Sequence, residues 1–149
     1  MTGIQKSPYA YMSIFAPIYV VGTILNVVIG EILPIDLGLT GSIAVLGVAA
    51  FFTVKSFVTD YGRRPNGTEL QQLTLSSLVV SLLLSFVSLL VLIEVMGADL
   101  ADLWDDIVRD VGTGLIVVLG LLGIAITYLL LLSCYHGFGK SAERRLHSR

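Results

Sequence analysis

The chain has 149 residues, 55% of them hydrophobic and 13% charged, with a mean hydropathy of +0.88. Soluble domains carry roughly 25% charge, and a soluble fold of this length would have to hide several apolar runs about 20 residues long, for which a bilayer is the better solvent. The formal net charge of −2 carries little as a sum because the charges are sorted by position, and a single cysteine, Cys134, excludes an intramolecular disulfide framework and any Cys-x-x-Cys redox or zinc motif.

The first ten residues are short and polar, with Lys6 their only charged side chain. Residues 11–30 are apolar except for Ser13, Thr23 and Asn26, with Pro17 a further break, and a helix of that length spans the hydrocarbon at 1.5 Å per residue. A secretory signal would have an apolar core of about 7–15 residues and a small-residue cleavage site. This run is longer and is followed by Glu31-Ile32-Leu33-Pro34, so it is expected to be a retained helix.

The second span is expected over residues 38–58, with Lys55 near its end, where a long side chain can snorkel to the headgroups. A polar island follows, Asp60-Tyr61-Gly62-Arg63-Arg64-Pro65-Asn66-Gly67-Thr68-Glu69. Asn66 is placed to cap the next helix, with Glu69 three residues on completing a capping box. The third span, residues 70–96, therefore reads as the apolar part of a helix of some 30 residues whose first turn stands clear of the membrane.

Residues 97–110 change character. Leu100, Leu103, Trp104, Ile107, Val108 and Val111 recur at a helical period, with Asp99, Asp102, Asp105, Asp106 and Asp110 on the other face. This predicts an amphipathic interfacial helix anchored by Trp104. A bend at Gly112 and Gly114 leads into the fourth span, residues 113–135, and a basic, frayed tail over residues 136–149. The fold class expected is all-α: a single membrane domain forming a four-helix bundle, with one added interfacial helix.

Four spans put Lys6, Lys55, Arg63, Arg64, Lys140, Arg144, Arg145 and Arg149 on one side and Arg109 alone on the other. The positive-inside rule then places both termini and the island in the cytoplasm.

Helices in lipid associate by close packing and hydrogen bonds. Gly22, Asn26 and Gly30 form one small face on the first span, and Ser77, Ser81, Ser85 and Ser88 form a stripe on the third, with Thr74 just ahead. Gly47 and Ala50 on the second span, and Gly120, Gly123 and Thr127 on the fourth, complete a set of faces expected to turn inward. The serine stripe reads either as packing, each hydroxyl bonded to its own helix, or as a polar path for a solute. Asn26 cannot satisfy its amide within its own helix and is expected to meet another span or a second copy.

No ionisable residue lies near the middle of a span, which weighs against a proton-coupled pump. Cys134 and His136 are two residues apart and point to different sides of a helix, so no metal site is expected with His147. No phosphate loop, zinc-protease motif or nucleophile elbow occurs, so neither an enzyme nor a cofactor is expected, and nothing points to a nucleic-acid partner.

The segment Phe57, Gly62, Arg63, Pro65 and Glu69 carries a Phe-x4-Gly-Arg-x-Pro-x3-Glu pattern. It resembles a family of small, uncharacterised bacterial inner-membrane proteins with four spans, in which this segment joins the second and third helices. Asn66 stands where that family more often has a hydroxyl residue, and Asn is an equally good cap. The match covers about 20 residues and implies fold and location rather than activity.

The function expected is that of a non-enzymatic accessory, assembly or immunity-type protein acting through protein contacts. Asp60, Arg63, Arg64 and Glu69 form the candidate interaction loop, and the lipid bilayer, a second copy or another membrane protein are the partners. The alternative is an oligomeric channel or transporter for a small solute, lined by Asn26, Ser77, Ser81 and Ser85.

Overall fold

The computed structural model describes residues 7–32, 38–97 and 100–147. A 3-10 turn, Pro8–Tyr11, leads into α1 (Met12–Ile32), followed by α2 (Gly38–Tyr61), α3 (Gly67–Met96), α4 (Leu100–Val111) and α5 (Thr113–His147). Every element among the described residues is helical. Four of the helices are long and apolar enough to cross a membrane: Pro8–Gly30, Thr40–Tyr61, Gly67–Val95 and Thr113–Arg144. This is the all-α bundle expected from the apolar runs, with α4 as the added amphipathic helix. On α4, Trp104 and Ile107 are exposed along with Asp105 and Asp110.

The spans form a ring in the order α1, α2, α5, α3, so that α2 and α3, consecutive in the chain, lie diagonally opposite one another. The five residues 62–66 must therefore cross the end of the bundle. With axes 8–10 Å apart the diagonal is about 13 Å, within the reach of five extended residues at about 3.4 Å each.

The buried core is concentrated in the half of the bundle beside that crossing. It contains Tyr11 and Phe15, a row on α2 from Leu46 to Val58, Leu73 and Leu78 on α3, and Leu131 and Tyr135 on α5. Farther from the crossing, Val27, Phe86 and Leu121 are exposed, as apolar side chains facing lipid are free to be.

Two expectations need correction. The tail is not frayed within the described residues, because α5 continues as helix to His147. Its 35 residues run about 52 Å, well beyond the roughly 30 Å of hydrocarbon. Gly139 is buried, and Phe138 and Ala142 are half-buried against the core, so the packing stripe of Leu131 and Tyr135 simply carries on among the cations. The small-residue faces are the second correction. A methyl added at Gly30, Gly47, Gly120 or Gly123 would meet nothing within 4 Å. Among the described glycines of these faces, close approach occurs at Gly22, where a Cβ would lie 2.6 Å from a methyl of Val45 on α2, and Ala50 of the second span's face is buried in the core as expected.

Candidate functional site

The island is a closed hydrogen-bonded turn. Gly62 ends α2 at φ +67°, a left-handed conformation that glycine adopts without a side-chain clash, and its N–H donates to the Val58 carbonyl at 2.8 Å. Asn66 then caps α3: its Oδ1 accepts from the Glu69 N–H at 2.9 Å, and the Glu69 carboxylate accepts from the Asn66 N–H at 2.9 Å. The capping box read from the sequence is present in full.

Arg63 supplies the rest. Its two terminal nitrogens donate to the two Glu69 oxygens at 2.7 and 2.8 Å, and Nη1 also donates to the Arg64 carbonyl at 3.1 Å. Such forked pairing is the stronger form of an arginine–carboxylate contact. It holds the Glu69 carboxyl below the usual range, against a smaller opposing effect of desolvation and with help from the Asn66 N–H, and it raises the Arg63 pKa further. Both groups precede residues 70–96, the apolar span read from the sequence, which begins at Leu70.

The guanidinium also lies over the Tyr61 ring, 5.5 Å from its centroid. Tyr61 stacks on Phe57 at 4.4 Å, and Phe57 meets Tyr11 at 5.4 Å. A continuous run of contacts thus links the island to the core. Asp60 joins it from the other side, accepting the Tyr11 hydroxyl at 2.9 Å. Arg64 faces α5: its Nε is 4.0 Å from Glu143, a long, solvent-exposed pair that orients more than it stabilises. Beside it, a Cβ on Gly139 would lie 3.6 Å from the Pro65 ring. The four island residues therefore divide three ways: Arg63 with Glu69, Asp60 toward Tyr11, and Arg64 toward α5.

The intramembrane set divides too. Ser77 and Ser81 are buried, whereas Ser85 and Ser88 are accessible. The Ser77 hydroxyl is 2.5 Å from that of Tyr135 and also meets the Met12 sulfur at 3.6 Å. Ser81 bonds back to the Leu78 carbonyl, as the packing reading expects, and Ser85 lies 3.2 Å from the Tyr19 hydroxyl. Asn26 meets α2, where its Oδ1 would be only 2.0 Å from a Cβ on Gly41. Ser77 and Ser85 thus face tyrosines on other helices. Tyr11, Tyr19 and Tyr135 did not stand out in the sequence because each lies within an apolar run and reads as part of it.

Among the described residues no group of three or more potential metal ligands converges. No protein family, curated protein or solved structure matches the chain.

Proposed function

We propose that this is a multi-pass protein of the bacterial inner membrane, with both termini cytoplasmic, that acts without catalysis through protein contacts at its cytoplasmic end. The side assignment rests on the cation distribution, and the bacterial setting on the resemblance of the 57–69 segment to four-span inner-membrane proteins. An accessory, assembly or immunity-type role fits a chain whose most elaborate polar structure is a braced platform rather than a reactive cleft.

The observation that carries the reading is the 35-residue length of α5, more than the hydrocarbon requires, with its C-terminal part packed against the island at Gly139 and Pro65. It presents His136, Lys140 and Arg144, all exposed and spaced at i, i+4 and i+8, along one helical face. That face suits an acidic segment of another membrane protein or of a second copy.

A photo-crosslinking residue at Lys140 or Arg144, activated in native membranes, tests this directly. A discrete adduct that disappears when Gly139→Leu displaces the extension is the expected result. Crosslinks to lipid alone would overturn the reading. Reporter fusions after Pro34, Gly67, Asp102 and Arg149 test the orientation, and a periplasmic signal at Gly67 would reverse it.

A further inference from the structure

Two adjoining cavities, of about 190 and 290 Å³, lie between the helices and share Tyr19, Ser42 and Ser85 in their walls. Thr23, Asn26 and Ser88 complete the polar lining of the first, and Ser81 and Thr127 that of the second. All four membrane-crossing helices contribute, and neither cavity is lined by an acidic or basic side chain. Packing alone explains a serine bonded to its own helix. It does not explain why hydroxyls from four helices and one amide converge on the same hollow, in lipid, where an apolar lining would pack as well.

The hydrogen bonds already made define what the hollow can recognise. Thr23 donates its proton to the Tyr19 carbonyl, Thr127 to the Gly123 carbonyl and Ser81 to the Leu78 carbonyl. Their oxygens therefore keep acceptor capacity but no donor. The Asn26 amide and whichever of the Tyr19 and Ser85 hydroxyls accepts in their mutual contact keep donors, so the cavity suits an occupant that both donates and accepts. Its lack of ionisable lining disfavours a charged occupant, because a bare charge in this environment is strongly penalised. On the island side the hollow gives way to the buried layer of Phe15, Leu46 and Leu131 and, beyond it, the Ser77–Tyr135 pair. From Tyr11, near the island, Tyr19 is about 12 Å along α1 and Asn26 about 22 Å. The hollow thus occupies the half of the bundle remote from the island.

We propose that this hollow is a binding site, within a single chain, for a small uncharged polyol-type solute, held by the hydroxyl oxygens of Thr23, Ser81 and Thr127 and the Asn26 amide. It is closed toward the island and needs no oligomeric pore. The site is independent of the protein-contact role proposed above.

The test uses the full chain in liposomes, with Cys134→Ser as background and a single new thiol at Ser85→Cys, labelled by a small water-soluble thiol reagent. Glycerol is the probe. Labelling is expected to occur and to slow about threefold at a glycerol concentration of twice its Kd, with the slowing lost in Asn26→Leu. A thiol at Thr68→Cys, in water on the exposed first turn of α3, should be labelled at a rate glycerol leaves unchanged. An unreactive Ser85→Cys thiol in folded protein, or labelling indifferent to glycerol, would overturn the proposal; the second result would leave a hollow that holds only water. Equal slowing at Thr68→Cys would overturn it too, as a solvent effect. If Ser85→Cys fails to fold, Ser88→Cys carries the same readings.

Discussion

The Tyr11 hydroxyl donates to the Asp60 carboxylate at 2.9 Å, joining residues 49 positions apart in sequence. The start of the first span is thereby fixed to the end of the second, and the Tyr11 ring is fully enclosed against Phe57. One side chain thus supplies both a polar tie and an apolar wedge.

Removing only the tie separates the two. Tyr11→Phe should lower stability by about 0.5–1.5 kcal/mol, the usual net value of a hydrogen bond, and Tyr11→Ala by a few kcal/mol more through the cavity it leaves. Thermal unfolding in a mild detergent measures both. Equal losses for the two variants would mean that the ring contributes nothing.

The Glu69 cluster makes stability depend on acid in a defined direction. Arg63 depresses the Glu69 pKa in the folded state, so its contribution is fully present above the unfolded value of about 4.3 and fades as pH falls through the lower folded value. The stability difference between the natural chain and Glu69→Gln should be flat from neutrality down to about pH 5 and shrink in stronger acid. A difference that grows on acidification would contradict the pairing. Asn66→Ala should cost about 1 kcal/mol through the cap itself.

At Gly139 the size of the substitution decides its sign. The nearest atoms to an added Cβ are 3.6–3.9 Å away, ordinary contact distances, and alanine is favoured over glycine within a helix by up to about 1 kcal/mol. Gly139→Ala should therefore be neutral or mildly stabilising. Gly139→Leu would collide with Pro65 and Val54 and separate the extension from the island. Protease cleavage between residues 136 and 147 should be slower than or equal to that of the natural chain in the first variant, and faster in the second.

Ser77 and Tyr135 are both fully buried. Losing either hydroxyl leaves the other short of a partner, at about 1–3 kcal/mol. Ser77→Ala combined with Tyr135→Phe should then cost less than the sum of the single changes, and a double-mutant cycle on unfolding free energies reads the coupling. Strict additivity would indicate that Met12 and neighbouring groups already satisfy both.

Much of this was legible in the residues. The spans followed from apolar run length, and the cap on α3 from the spacing of Asn66 and Glu69, because both signals are local. The forked Arg63–Glu69 pair was not, although both residues stood out, since their approach depends on how Gly62 turns the chain. Tyr11, Tyr135 and Gly139 gave no warning because their importance comes from residues 49, 58 and roughly 75 positions away. The glycines of α5 misled for a related reason. Gly120 and Gly123 have the composition of a packing face, but α5 packs through Leu131, Tyr135 and Gly139 instead, and only the placement of the other helices decides which stretch is used.

The diagonal arrangement of α2 and α3 has a consequence for biogenesis. As the chain enters the bilayer, α1 and α2 can pair at once, and α3 can settle against α1. The face of α2 that carries Phe51 and Val54, however, meets Phe138 and Gly139 of α5, the last of these helices to be made. Until then those side chains lie open to lipid or to any other helix nearby. Assembly therefore finishes with an extensive contact still to be made, and a chain halted before α5 would retain a ready surface for pairing with the wrong partner.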